Sequence, residues 1–245
     1  MIALLADIHG NREALSTCLA DAEQRNVTRY IFLGDLVGYG ADPGWVTDCA
    51  MEHVARGAIA IRGNHDAAAA GENVSMTRTA AEAIAWTRGE LDDRQKRFLE
   101  SLPLSVACDE RLYVHASADA PSAWHYITNA ARARKSLAAT AALQTFCGHV
   151  HRPTLYFLSR VGKLAEFAPS AGVAIPLLGG RRWLAVLGSV GQPRDRNPAA
   201  CYGLYDPAQN TLTFIRVAYD VASAARKIRE SSLPAVLAAR LEQGY

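Results

Sequence analysis

The chain has 245 residues, half of them hydrophobic and a fifth charged, which is enough for a large core and leaves no long stretch to read as disordered. Its 26 basic and 24 acidic residues leave a formal net charge of +2, too even a balance for the electrostatic footprint of a long nucleic acid. Five cysteines, dispersed and without a Cys-x-x-Cys pair, argue against a disulfide framework and for a reducing, cytoplasmic setting; the apolar start from Ile2 to Ala6 has neither the length of a membrane span nor the basic flank of a secretory signal.

The apolar run from Met1 to Ala6 reads as the first strand and ends at Asp7-Ile8-His9. Gly10 then turns the chain into a helix with Ala14, Leu15, Cys18, Leu19 and Ala22 on one face and Asn11 as its cap. The unit repeats: a strand from Tyr30 to Leu33 ends at Gly34-Asp35, and one from Ala58 to Ile61 ends at Gly63-Asn64-His65-Asp66. Between Asn73 and Leu102 the apolar positions Ala80, Ile84, Leu91, Phe98 and Leu99 predict a helical hairpin that Pro103 stops. A strand from Leu112 to Val114 precedes His115, a helix follows from Ala130 to Ala142, and a strand from Thr145 to Cys147 precedes Gly148-His149-Val150-His151. Beyond His151 the texture turns to β structure, with strands over 154–158, 173–178, 183–187, 202–205 and 212–217, expected to complete a second sheet packed on the first. The end, 220–229 and 234–241, reads as two helices. One domain over 1–245 is expected, because candidate ligands running from Asp7 to His151 cannot be divided without breaking the site.

Each candidate ligand follows a strand-like run, so one set of strand ends would bring Asp7, His9, Asp35, Asn64, His115, His149 and His151 into one pocket. Imidazole nitrogens mixed with carboxylate oxygens suit manganese, iron, cobalt, nickel or zinc better than calcium. In Asp7-Ile8-His9 and in His149-Val150-His151 the one-residue gap lets both side chains turn to the same side of a loop. A single zinc needs only three protein ligands, so seven predict two ions, with Asp35 bridging them at about 3.5–4 Å. Such a pair lowers the pKa of a bridging water, and the resulting hydroxide attacks phosphorus while the cations neutralise phosphoryl oxygens. His65 is then free to protonate the leaving alkoxide or hydrogen-bond the phosphate; Asp66 beside it is the candidate to orient it, and Asn64 and His65 are the expected substrate contacts.

Other residues carry blander expectations. His53 and His125 lie outside the motifs and are read as structural, and Trp124-His125-Tyr126 is near enough to His115 to line a pocket edge. Arg62, Arg152 and Arg194 could grip a phosphate through planar guanidinium donors and the cluster Arg132, Arg134 and Lys135 could attract a small anion, but each alone is read first as solvated surface. Tyr39 and Trp45 are as much core or rim as base-stacking groups, and Gly63 and Gly148 serve either a turn or close packing beside the metals.

Taken together, these blocks resemble the five signature motifs of the calcineurin-like metallophosphoesterase superfamily. The stretches Gly34-Asp35-Leu36-Val37-Gly38-Tyr39-Gly40 and Gly188-Ser189-Val190-Gly191-Gln192-Pro193-Arg194-Asp195 resemble its bacterial and archaeal phosphodiesterase branch, called diadenosine tetraphosphatase-like. The resemblance implies an α/β fold, a four-layer αββα sandwich of two mixed β-sheets flanked by helices. It implies one metal on Asp7, His9, Asp35 and His151, a second on Asp35, Asn64, His115 and His149, and His65 acting on the phosphate or leaving group. It further implies that the Gly188 to Asp195 loop closes one wall, with Ser189 or Gly191 presenting backbone groups. The expected activity is metal-dependent hydrolysis of phosphodiesters or phosphomonoesters, nucleotides among them, on a small substrate and away from membranes. The alternative is a protein-binding scaffold on the same fold that has lost catalysis, although such relatives tend to lose the histidine that stands here at position 65. A metallo-β-lactamase-type hydrolase is discounted because its His-x-His-x-Asp-His run is absent. Two departures, Ala116-Ser117-Ala118 after His115 and the lack of a proline before Gly188, touch loops that shape the pocket and so bear on substrate preference, not on the ligands.

Overall fold

The computed structural model describes residues 1–245. Strand β1 (Ile2–Leu5) leads into helix α1 (Arg12–Gln24), and the Asn11 side chain caps that helix by accepting from Ala14 N at 3.0 Å. Strand β2 (Arg29–Phe32), helix α2 (Pro43–Ala55) and strand β3 (Ile59–Ala60) repeat the unit, and β1, β2 and β3 pair in parallel. In β1, Ala3 and Leu5 pack toward the helices while Ile2 and Leu4 pack between the sheets. A strand covered on both faces has no polar alternation, which is why it reads as an unbroken apolar run. Helix α2 was not evident in the sequence: its buried face is Pro43, Val46, Thr47 and Ala50, and so small a set blurs the helical period.

Next come α3 (Asn64–Ala70), α4 (Arg78–Glu90) and α5 (Asp93–Ser101). The last two fill the stretch predicted as a helical hairpin, but they do not pack along each other: both pack on α3 and α2, and the first of them starts at the Thr77 cap and not at Asn73. Strands β4 (Ser105–Cys108) and β5 (Arg111–Val114), helix α6 (Ala130–Ala138) and strand β6 (Gln144–Cys147) begin the other sheet. The remainder is β7 (Thr154–Ser159), β8 (Leu164–Phe167), β9 (Ala174–Pro176), β10 (Arg181–Val186), β11 (Ala200–Asp206), β12 (Thr211–Val217), α7 (Val221–Glu230) and α8 (Val236–Gln243).

Two mixed six-stranded sheets result, in the orders β3-β2-β1-β11-β12-β9 and β4-β5-β6-β10-β7-β8. The late strands therefore do not make a sheet of their own. Parallel pairing leaves one edge of β1 and one edge of β6 with unpaired backbone groups; β11 takes the first, antiparallel, and β10 takes the second, in parallel. Leu4, Leu33, Phe146, Trp183 and Phe214 fill the space between the sheets. Outside one sheet lie Leu15, Val46 and Leu99 of α1, α2 and α5, and outside the other Ala133 and Leu137 of α6, which completes the αββα layering. The loops after β1, β2, β3, β5 and β6 carry the seven candidate ligands. No helix is long and apolar enough to cross a membrane, and all five cysteines are free thiols.

Candidate metal centre

Asp7, His9, Asp35, His149 and His151 all hold left-handed backbone, with φ of 55°, 51°, 54°, 69° and 62°. A non-glycine residue in that region costs on the order of 1 kcal/mol or more, and aspartate and histidine tolerate it better than most. Tertiary hydrogen bonds hold it in place. Ile8 N and His9 N both donate to Asp35 O at 2.9 Å and Gly10 N donates to Leu36 O at 2.8 Å, which zips the loop after β1 to the loop after β2. On its other side Gly191 N donates to Asp7 O at 2.9 Å and Ser189 Oγ to the same oxygen at 2.7 Å.

Each of the four histidines has one ring nitrogen on a backbone carbonyl: His9 Nδ1 on Val37 O at 3.1 Å, His115 Nδ1 on Leu33 O at 2.8 Å, His149 Nε2 on Trp124 O at 2.9 Å and His151 Nδ1 on Gln192 O at 2.6 Å. A carbonyl only accepts, so these nitrogens carry the protons and the opposite ones turn inward. There His9 Nε2 lies 3.2 Å from His151 Nε2, and His115 Nε2 lies 3.1 Å from His149 Nδ1. Asp35 Oδ2 stands between the pairs, 3.6 Å from His9 Nε2 and 3.4 Å from His115 Nε2, while Asp7 Oδ1 is 3.4 Å from His151 Nε2. Two overlapping clusters follow, Asp7, His9, Asp35 and His151 in one and Asp35, His115 and His149 in the other, each with ligand atoms within 4.8 Å of one another. Asn64 shares a cavity wall with His149 and has a buried Oδ1 that no protein donor satisfies. Two facing lone pairs in one pair, a shared carboxylate and an orphaned amide oxygen fit divalent cations.

The electrostatics agree. Burial holds His9 and His151 well below the usual imidazole range and His149 down at about 3, so their inner nitrogens are bare at neutral pH. Burial works against protonation of His115 too, but the Asp35 charge and the hydrogen bond to it outweigh that and carry it up to about 9. Its inner nitrogen thus holds a proton where a cation would displace it. Burial alone would raise Asp35, yet His115, His65 and His9 hold it well below the carboxylate range.

The calcineurin-like phosphoesterase superfamily domain matches residues 1–210. The chain belongs to that superfamily. It is 33% identical to a metallophosphoesterase from Sphaerobacter thermophilus of known crystal structure, with a TM-score of 0.87, covering all of this chain and 98% of that one. It is also 32% identical to an uncharacterized protein of Methanocaldococcus jannaschii, over 100% of this chain and 98% of the relative. A hypothetical protein of Pyrococcus horikoshii OT3, 20% identical with a TM-score of 0.78 and covering 100% and 99%, shares the fold.

In this calcineurin-like phosphoesterase domain the structure brings Asp7, His9, Asp35, His115, His149 and His151 together, places Asn64 in one cavity wall with His149, and seats His65 against His9. The His65 ring lies 4.8 Å from that of His9 and 4.5 Å from that of Tyr39, and its Nδ1 has no protein partner. Asp66 does not orient it. Its Oδ1 accepts from Leu36 N at 2.8 Å and Val37 N at 3.3 Å, which pins α3 to the loop after β2, and its Oδ2 accepts from Gly63 N at 2.9 Å at the cap of α3; none of its hydrogen bonds goes to His65. Asp66→Asn would set an amide N–H against Gly63 N–H. It is expected to cost about 1–3 kcal/mol of stability in urea unfolding; unchanged stability with lost activity would restore the orienting role.

Gly63 and Gly148 are matters of close approach, not of turn geometry, for neither has positive φ. A Cβ on Gly63 would overlap Asp35 Oδ1, and one on Gly148 would lie 2.5 Å from Asp7 Oδ2. The Gly188 to Asp195 loop lies against Asp7 and His151, and Ser189 and Gly191 direct their donors at Asp7 O and not at the centre. Of the three arginines that are candidate phosphate grips, Arg194 is the one beside the centre and not free surface: its side chain is half-buried, anchored on Gln192 Oε1 at 2.8 and 3.3 Å, 5.8 Å from the Tyr39 ring centre, and its charge acts on Asp7, His9, His65 and His151. The Gln192-Pro193-Arg194-Asp195 motif was the available signal. Tyr39 belongs here too, whereas Trp45 packs on the core beneath Arg12, Arg62 pairs with Glu72, and His53 packs on Tyr30 and Phe32. Arg134 and Lys135 are exposed on α6.

Proposed function

We propose that the chain is a phosphoesterase that cleaves phosphodiesters or phosphomonoesters, nucleotides among them, with two divalent transition-metal cations held by the two clusters. The observation that carries this reading is the set of four imidazoles whose outer nitrogens are spent on backbone carbonyls and whose inner nitrogens meet around Asp35. Asp7, His9, Asp35 and His151 would hold one cation and Asp35, Asn64, His115 and His149 the other. Bound there, such cations acidify water and offset charge on phosphoryl oxygens.

The chain's own groups supply the rest. Burial holds His65 down at about 4, so at neutral pH it is a neutral ring whose N–H donates to the phosphate or to the leaving oxygen. The Arg194 guanidinium, fixed by Gln192, faces the same space with a planar fork of donors suited to a phosphoryl group. The test is metal-free protein reconstituted singly with manganese, iron, cobalt, nickel or zinc against bis-p-nitrophenyl phosphate, p-nitrophenyl phosphate and a nucleotide panel. Cation-dependent hydrolysis is expected. No turnover with any cation, together with tight binding of a protein partner, would establish the scaffold alternative.

A further inference from the structure

A cavity of about 320 Å³ opens beside the second cluster, with Asn64 and His149 in its wall, at the small end of the range for ligand pockets. Its flank is the segment after His115. The Tyr126 ring lies on the His149 imidazole at 3.9 Å between centres and 20° between planes, and the residue is still 51% exposed, so the opposite ring face is open. Trp124 holds left-handed backbone, φ 53°, which lets its carbonyl accept from His149 while its indole lines the same cavity. Val74 adds apolar surface, and Asn73, Ser75 and Ser122 place exposed groups able to donate and accept around the rim.

Charge decides what the cavity accepts. No lysine or arginine lines it, and its one carboxylate, Glu72, is paired with Arg62, so the wall offers no free cation to hold a phosphate and suits an uncharged group. Two aromatic side chains with hydrogen-bonding neighbours match a flat ring that has polar edges. A larger cavity of about 500 Å³ lies beyond Val150, but no candidate ligand is in its wall and its Arg216 is already taken by Asp195 and Ala199 O.

We infer that the cavity between Trp124, Tyr126 and Val74 binds a heteroaromatic ring of the substrate, a nucleobase or its like, esterified through its sugar to the phosphate at the metal centre. The link to the phosphate rests on the phosphoesterase reading; the binding of the ring does not. A nucleoside phosphoester would lie with its phosphoryl group between the clusters, Arg194 on one side and the base in the cavity on the other.

Two measurements test this. Adenosine, which carries no phosphate, is titrated into metal-free protein to millimolar concentration while tryptophan fluorescence is followed, with ribose as the ringless control. Saturable quenching by adenosine alone is expected, weakened about tenfold in Tyr126→Ala, kept in Tyr126→Phe, and lost in Ser75→Trp, which fills the cavity from its exposed rim. Separately, kcat/KM for thymidine 5′-p-nitrophenyl phosphate and for methyl p-nitrophenyl phosphate is compared in the metal-loaded protein. Ser75→Trp is expected to remove the preference for the nucleoside ester, bringing the two kcat/KM values together. Absence of adenosine binding in the wild type, or binding untouched by Ser75→Trp, overturns the inference. If adenosine binds in the expected pattern but neither ester is cleaved with any cation, the cavity assignment stands and the phosphoesterase reading falls.

Discussion

Asp35→Asn is expected to empty both halves of the centre at once and to lower phosphoester hydrolysis by at least about 10³-fold, the scale of several kcal/mol of metal-supplied stabilisation. Asp35 is the one residue common to both clusters. Its Oδ2 faces His9 Nε2 and His115 Nε2 while its Oδ1 accepts from His65 N at 2.8 Å. Asparagine keeps the volume but must choose. With its oxygen toward His65 N, its amide protons point into the centre; flipped, they oppose the His65 N–H and leave a buried donor unsatisfied. The negative charge that offsets two cations is lost either way. The check is metal content by elemental analysis beside turnover of bis-p-nitrophenyl phosphate. A variant that loses one equivalent and keeps the other would show that Asp35 serves a single site.

His65→Ala is expected to behave differently, with metal content unchanged and rate reduced on the order of 10²–10⁴-fold. The ring is fixed by contact and not by a carboxylate partner: His9 and Tyr39 pack on it, and a Cβ at Gly38 would run into Nδ1. Its backbone N–H stays on Asp35 when the side chain is removed, so the centre keeps its shape. If the ring donates to the departing oxygen, the loss grows as the leaving group becomes more basic, being larger for alkyl esters than for p-nitrophenyl esters. Undiminished activity across both ester types would remove His65 from the mechanism.

Much of the centre was legible because ligand type and spacing are local properties. Asp7-Ile8-His9 and His149-Val150-His151 each sit directly after an apolar run, and such a run can be read without knowing its neighbours. What was not legible depended on contacts distant in sequence. The sharing of the late strands between two sheets follows from the open edges of β1 and β6, which no single segment reveals. Asp66 stands next to His65 in the chain, but its carboxylate is taken by backbone donors from Gly63 and from the loop some thirty residues earlier. Arg194 cannot be told from Arg62 and Arg152 as a phosphate grip or a surface charge until Gln192 and Tyr39 are seen to hold it beside the centre.

The amino-acid sequence alone determined the donor atoms available, their places at strand ends and, through its motif resemblance, the family. Only the tertiary structure decided which nitrogen of each histidine faces inward, because that choice belongs to carbonyls of Leu33, Val37, Trp124 and Gln192, between 25 and 82 residues away along the chain. A hydrogen bond to one side of an imidazole sets the chemistry of the other.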